Sequence, residues 1–154
     1  MQEEIEKAKS AALRLLSYRI RTCREISDKL QAKGFSPNII KKVVKDLKRI
    51  NYLNDYEFAK VFVESRTKHN PKGKKILRYE LLRKGIDNKI AEEVINKEMP
   101  AEKEENTARL LAEKIWQRKK NIETAKRKAQ TYNYLTRRGF SASVIIRILE
   151  ELKN

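Results

Sequence analysis

The 154-residue sequence contains only one cysteine and one histidine. A single cysteine cannot form an intramolecular disulfide, so the framework that stabilises many small secreted domains is excluded. Cys23 and His69 are also too few for a tetrahedral zinc site, and His69 has no carboxylate or cysteine at metal-ligand spacing. We therefore expect no metal centre, and we interpret Cys23 as an ordinary thiol because no histidine or second cysteine lies near it in the sequence.

Glycine and proline are scarce, with four and three residues respectively. The turns of a many-stranded sheet need more of both, and no useful run of alternating apolar and polar residues is present. The only Gly-Lys pair, Gly73-Lys74, has Lys68 where a phosphate-binding loop needs its first glycine. The acidic residues are scattered, with no pair set apart for acid-base catalysis. The sequence predicts an all-α protein without a cofactor and without enzymatic activity.

Long apolar runs are also missing. No segment approaches the roughly 20 residues of a membrane span, and the N-terminus lacks the apolar region of a signal peptide. These absences predict a cytoplasmic protein that makes no membrane contact.

Positive charge, in contrast, is abundant. Lysine and arginine number 37 against 21 acidic residues, which gives a formal net charge of +16. An excess of this size indicates a polyanionic partner such as nucleic acid, an acidic protein face or anionic lipid. Simple solubility is the alternative interpretation.

Three of the four glycines begin the same short phrase, at intervals of about 50 residues. Gly34, Gly85 and Gly139 are each followed by an apolar residue and then by serine or aspartate. Glycine readily adopts the left-handed conformation that ends a helix, and serine and aspartate are strong N-caps. The phrase therefore predicts that one helix ends and the next begins within about three residues.

The apolar spacing after each glycine is helical and is the same in the three copies. We predict three tandem three-helix modules, at residues 1–50, 51–99 and 100–154. Abundant charge and few aromatic residues favour an elongated, curved helical-repeat array. Two helix starts are marked by a cap and a glutamate three residues later, Thr22 with Glu25 and Asn54 with Glu57.

Basic residues concentrate in two segments. The first runs from Arg66 to Arg78 without an acid and contains Pro71 and Gly73, so it is interpreted as a loop. The second begins at Arg118. We expect both to contact a polyanion, with a merely solvated surface as the alternative. The candidate binding residues, including basic positions elsewhere in the modules, are Arg19, Arg21, Arg24, Arg66, Lys72, Lys74, Lys75, Arg78, Arg83, Lys84, Arg118, Lys119, Lys120, Arg127, Lys128, Arg137 and Arg138.

One stretch of the sequence resembles the most characteristic part of the RecX family. It runs over residues 51–59, with the sequence Asn-Tyr-Leu-Asn-Asp-Tyr-Glu-Phe-Ala, and continues through Arg66 and Gly73 to residues 80–86. The resemblance extends upstream through residues 15–19 and 30–35. The motif positions that carry it are Gly34, Tyr52, Leu53, Asp55, Phe58, Gly85 and Gly139.

Three positions depart from the usual family pattern. Asn51 replaces a glycine, Asn54 replaces an acid, and Ile20 replaces a proline. Asparagine tolerates the left-handed conformation and is a good N-cap, so we expect Asn51 and Asn54 to preserve the fold.

The resemblance implies a non-enzymatic regulator of the RecA recombinase, acting in DNA recombination, repair and the SOS response. Such a protein would lie in the groove of the RecA filament on single-stranded DNA and suppress strand exchange, ATP turnover and coprotease activity. The implied partners are the RecA filament, single-stranded DNA and, non-specifically, duplex DNA, and a monomer is expected.

Two other functions are compatible with the residues alone. A nucleic-acid-binding protein could act independently of RecA through helix-turn-helix-like pairs. The first turns of the would-be reading helices, however, carry Ile39, Ile40, Ile90, Val144 and Ile145, which are typical of a core rather than of base readout. A pure scaffold is the third possibility, but it would leave the basic segments without a role.

Overall fold

The computed structural model describes residues 1–152, which form nine α-helices and no β-strand. This confirms the all-α prediction. None of these helices combines the length and the apolar character needed to cross a membrane. The helices are α1 (Gln2–Tyr18), α2 (Cys23–Ala32), α3 (Pro37–Arg49), α4 (Asp55–His69), α5 (Lys74–Arg83), α6 (Asn88–Glu98), α7 (Ala101–Arg118), α8 (Thr124–Arg137) and α9 (Ala142–Glu151).

The predicted caps begin the helices to which they were assigned. Thr22 Oγ1 accepts the Glu25 N–H at 3.0 Å, and Glu25 Oε1 accepts the Thr22 N–H at 3.1 Å, which completes a capping box at the start of α2. Asn54 Oδ1 accepts the Glu57 N–H at 3.0 Å at the start of α4. Each bond satisfies a backbone donor that has no partner within its own helix.

The three repeated glycines adopt the predicted left-handed conformation, with φ of +96° at Gly34, +91° at Gly85 and +93° at Gly139. At the first, the Phe35 N–H donates to Leu30 O at 3.2 Å and the Gly34 N–H donates to Gln31 O at 2.9 Å. This pair of bonds defines the Schellman motif, and it recurs at the other two glycines. The repeated phrase is therefore confirmed as a helix end.

A fourth turn of the same kind uses asparagine. Asn51 has a φ of +63°, the Asn51 N–H donates to Lys48 O at 3.0 Å, and the Tyr52 N–H donates to Leu47 O at 2.8 Å. The side chain of Asn54 donates to Asn51 Oδ1 at 2.9 Å. The expectation that Asn51 can replace a family glycine is thus confirmed, since asparagine tolerates this conformation.

Packing divides the described chain into two compact units. The first comprises Met1–Val61 and Leu81–Ala91, and the second comprises Phe62–Glu80 and the chain from Glu92 onward. The boundaries fall inside α4, α5 and α6, so the residues of the predicted second module contribute to both units. The first unit has a core of Ala8, Ala12, Ile26, Leu30, Ile39, Ile40, Val43, Leu47 and Leu53. The second unit has a core of Ala108, Ala112, Leu135, Phe140, Val144, Ile145 and Ile148.

The interpretation of residues 66–78 as a loop is wrong. α4 continues to His69 and α5 begins at Lys74, so only residues 70–73 are non-helical. Arg66, Lys68 and His69 are favourable in the last turn of α4, because basic side chains there face the negative end of the helix dipole. Pro71 and Gly73 therefore mark a short turn, and the basic residues on either side of it belong to helices.

Candidate nucleic-acid interface

Two residues of the first basic segment are neutralised by one carboxylate. Glu80 on α5 lies 3.1 Å from Arg66 Nη2 and 2.8 Å from Lys72 Nζ. The Arg66 guanidinium also stacks 4.7 Å from the centroid of the Phe62 ring. Glu80 does not stand out in the sequence, because it lies just beyond the basic run. Arg66 and Lys72 therefore stabilise the α4–α5 turn, and less of their charge is available to a partner than their number suggests.

The start of α5 is fixed by the glycine turn at the end of α8. The Gly73 N–H donates to Arg138 O at 2.7 Å, and the Lys75 N–H donates to Gly139 O at 3.3 Å. The Lys74 N–H donates to Glu104 Oε2 at 3.0 Å, and Glu104 is only 8% exposed. A carboxylate at this position complements the positive end of the helix dipole.

A similar junction occurs in the first unit. Thr22 Oγ1 donates to Lys84 O at 2.7 Å, and the Arg24 guanidinium donates to Arg83 O. These two carbonyls belong to the end of α5, directly before the glycine turn at Gly85. The candidate Arg24 therefore uses part of its hydrogen-bonding capacity to join α2 to α5.

Arg19 and Arg21 also have partners within the first unit. Arg19 Nη2 lies 2.5 Å from Glu25 Oε2, and Arg21 Nε donates to Leu15 O at 3.1 Å. Burial alone raises the pKa of Glu25, but hydrogen bonds from Arg19 and from the Thr22 N–H outweigh it and hold this pKa below its usual value. Glu25 thus stays ionised and serves both the capping box and the ion pair.

Cys23, the first residue of α2, is not an activated thiol. Burial raises its pKa to about 11, and the Asp55 carboxylate adds to the effect. The same carboxylate accepts the Cys23 N–H at 2.9 Å. A thiol with so high a pKa is almost entirely protonated at neutral pH and is a poor nucleophile.

Arg127 lies in the interior of the second unit, where it is 7% exposed. Its guanidinium carbon is 3.8 Å from the centroid of the Trp116 ring, and its Nε and Nη2 donate to Trp116 O at 2.9 and 2.6 Å. The side chain covers an indole and satisfies a carbonyl near the end of α7. Arg127 therefore packs the interior, and little of this candidate side chain is accessible to a partner.

The other candidate residues fall into two groups. Half-buried side chains include Lys84, whose Nζ lies 6.0 Å from the centroid of the Phe58 ring, and Arg138, whose Nη1 donates to Asn70 Oδ1 at 2.6 Å. Lys74 and Lys119 are also half-buried. The exposed candidates of the second unit are Lys75, Arg78, Arg118, Lys120, Lys128 and Arg137, and Arg83 is exposed in the first unit. Arg78 lies 3.7 Å from Glu92.

Five of these exposed residues have no carboxylate within ion-pair distance among residues 1–152. They are Lys75, Arg118, Lys120, Lys128 and Arg137. Uncompensated cations of this kind suit the phosphate backbone of a nucleic acid, which supplies affinity without sequence information. The structure thus provides basic positions for such contacts within the second unit.

Sequence-specific base readout is not favoured by the same geometry. Ile39 and Ile40 in the first turn of α3, and Val144 and Ile145 in the first turn of α9, are buried. A recognition helix must present its first residues to base edges in the major groove. These two helices instead use those positions for their own cores.

The nine described helices and the exposed basic residues without carboxylate partners among residues 1–152 define a class of protein, namely an all-helical repeat protein with a basic surface. Family models describe the same organisation, since those for the first, second and third three-helix domains of RecX match residues 8–47, 54–95 and 102–149. The chain belongs to the RecX family. Each matched range lies within one of the three modules predicted from the glycine phrase.

Curated relatives carry the name "Regulatory protein RecX". The protein of that name from Bacillus cytotoxicus is 36% identical over 151 residues, which are 98% of this chain and 56% of the relative. The Bacillus subtilis protein is 34% identical over 98% of this chain and 57% of its own length. The chain thus spans little more than half the length of these relatives.

Solved structures confirm the fold. The crystal structure of RecX from Lactobacillus salivarius superposes with a TM-score of 0.93 and 29% identity, covering 99% of this chain and 98% of that one. A second crystal structure, of a regulatory protein RecX, gives a TM-score of 0.86 and 29% identity over 95% of this chain and 73% of that one.

Proposed function

We propose that this protein is a non-enzymatic, cytoplasmic regulator of the RecA recombinase. It binds in the groove of the RecA filament on single-stranded DNA and inhibits strand exchange, ATP hydrolysis and coprotease activity. It acts as a monomer in DNA recombination, repair and the SOS response. Membership of a family whose relatives are named regulatory proteins supports this proposal.

The observation that carries the proposal is the uncompensated positive charge of the second unit. Lys75, Lys120 and Lys128 are exposed, whereas Arg66 and Lys72 are held by Glu80. Exposed cations can contact both DNA phosphates and acidic protein surfaces, which a filament of protein on DNA presents together.

The test is the rate of ATP hydrolysis by RecA on single-stranded DNA in the presence of the purified full chain. We expect inhibition at substoichiometric amounts of the protein. Replacing Lys75, Lys120 and Lys128 by glutamate should weaken the inhibition, whereas replacing the exposed Lys29, Lys33 and Lys114 should not. An unchanged rate of hydrolysis at equimolar protein would contradict the proposal.

The alternative is non-specific nucleic-acid binding that is independent of RecA. The same exposed cations favour it, because phosphate contacts need no protein partner. It predicts tight binding to bare single-stranded and duplex DNA without any effect on RecA. Electrophoretic mobility shifts measured beside the hydrolysis assay distinguish the two functions.

A further inference from the structure

An open groove of about 570 Å³ lies between α2 and α3 in the first unit. Its floor contains apolar atoms of α3, and lysines of the same helix form its edge. The α3 side chains that line it are Pro37, Ile40, Lys41, Val44, Lys45 and Lys48. Ser27 and Gln31 of α2 complete the lining, so the groove combines apolar and neutral polar side chains with three lysines.

Two positions that correspond to this groove in the second copy of the repeat are buried. Counting from the repeated glycine, Val44 and Lys48 correspond to Ile95 and Met99. Ile95 and Met99 are 3% and 0% exposed, whereas Val44 is only half-buried and Lys48 is exposed. The second copy thus buries two apolar side chains at the positions where α3 has the half-buried Val44 and the exposed Lys48.

The three lysines at the edge have no neutralising partner among the described residues. Lys41, Lys45 and Lys48 are exposed, and within residues 1–152 no carboxylate lies at ion-pair distance from them. Their spacing of four and three residues places them on one side of the helix. An occupant of this groove should therefore be apolar on one face and anionic along its edge.

We propose that the groove binds an acidic amphipathic helix of a protein partner. Leucine-like side chains at helical spacing would lie on Ile40 and Val44, and flanking carboxylates would meet the lysines. Recognition of an amphipathic helix in an apolar groove is a common mode of peptide binding. None of the residues that line the groove is among the basic positions assigned to DNA.

A nucleic-acid strand suits this groove less well. The phosphate backbone would pair with the lysines but leave the apolar floor exposed to water. Bases of single-stranded nucleic acid bind by stacking on aromatic side chains, and the residues that line the groove include none. Burial of the floor thus favours a peptide.

The test uses a fluorescein-labelled peptide of roughly 16 residues, long enough to form a helix. It carries leucine at positions i, i+4 and i+7 with glutamate on both flanks, and a scrambled peptide of the same composition is the reference. Fluorescence anisotropy with the full chain should give a micromolar Kd for the helical peptide and much weaker binding for the scrambled one.

Two variants locate the binding in the groove. Lys45→Glu with Lys48→Glu, and separately Val44→Asn, should each weaken binding at least about tenfold, or about 1.4 kcal/mol. The matched control is Lys29→Glu with Lys33→Glu, which changes the charge equally at exposed positions in the last turn of α2 and directly after it, outside the groove. Circular dichroism verifies that each variant is folded.

Three outcomes would overturn this proposal. They are no binding of the helical peptide, equal binding of the scrambled peptide, and groove variants that bind as the parent does. If the Lys45 and Lys48 variant instead loses affinity only for a labelled single-stranded oligonucleotide, the groove is a phosphate contact. The peptide assay contains neither RecA nor DNA, so its failure leaves the proposed function untouched.

Discussion

At the scale of single residues, two glycines with the same backbone conformation lie in different surroundings. Gly34 and Gly139 have φ of +96° and +93°. A Cβ built on Gly34 meets nothing within 4 Å, whereas one on Gly139 would lie 2.8 Å from the backbone nitrogen of Ile76. The first glycine is required only by its torsion angle, and the second is required also by a close backbone approach.

The first prediction uses this pair. Gly34→Ala should lower the free energy of unfolding by about 1 kcal/mol, which is the usual cost of the left-handed conformation in a non-glycine residue. Gly139→Ala should cost about 2 kcal/mol or more, since backbone atoms must also move. Urea denaturation followed by circular dichroism measures both values. Equal losses would mean that the α5–α8 junction tolerates a methyl group.

The second prediction concerns Arg127, whose guanidinium stacks on Trp116 and donates two hydrogen bonds to its carbonyl. Arg127→Lys keeps the charge but loses the planar fork, so we expect a loss of about 2 kcal/mol in stability. Lys128→Ala at the exposed neighbouring position should change stability by less than about 0.5 kcal/mol. If Arg127→Lys is as stable as the parent, the charge alone accounts for the role of Arg127.

At the scale of helices, the start of α2 couples stability to pH. The pKa of Glu25 is lower in the folded protein than its usual value, which is about 4.3 in an unfolded chain. A lowered folded pKa contributes stability above the unfolded pKa, and this contribution is lost as the pH falls through the folded pKa.

The third prediction follows from this coupling. Glu25→Gln should reduce stability at pH 7 and remove part of the loss of stability that the parent shows below about pH 4. Denaturation midpoints measured between pH 3 and pH 7 test this expectation. Glu57→Gln is the control, because the Glu57 carboxylate is exposed. A parallel pH dependence in the parent and Glu25→Gln would assign the acid sensitivity to other groups.

Local sequence signals predicted where helices begin and end more accurately than they predicted the surroundings of the basic residues. The turns at Gly34, Gly85 and Gly139, and the caps Thr22 and Asn54, follow from nearest-neighbour chemistry, so sequence alone located them. The partners of the basic residues depend on contacts between helices that are distant in the chain.

Three residues illustrate this limit. Glu80 lies outside the basic run that it neutralises, and the contact of Arg127 with Trp116 joins two separate helices. The interior position of Arg127 could not be read from its basic neighbours. Lys45 was overlooked because α3 also contains acid, and only the folded structure shows the groove that this lysine lines.

At the scale of the whole molecule, the net charge of +16 should make binding to single-stranded DNA dependent on salt. If about five phosphates are neutralised, the logarithm of the affinity falls with the logarithm of salt concentration at a slope near roughly −3.5. Replacing Lys75, Lys120 and Lys128 by glutamate should reduce the magnitude of the slope by about 2.

This fourth prediction is tested by anisotropy titrations of a labelled oligonucleotide at several salt concentrations. Replacement of Lys29, Lys33 and Lys114 by glutamate gives the same change in net charge and serves as the control. We expect the control to keep most of the slope. If both triple variants behave alike, the general field of the molecule rather than local contact governs DNA binding.

The protonated thiol of Cys23 has a practical consequence for studying this protein in solution. With a pKa of about 11, roughly one thiol in ten thousand is ionised at pH 7, against about 3% for an ordinary exposed cysteine. A cysteine introduced at the exposed position 120 should therefore accept a maleimide dye selectively, while Cys23 stays unlabelled, as intact mass spectrometry can verify. Cys23 therefore need not be replaced before a single fluorescent label is attached to an introduced cysteine.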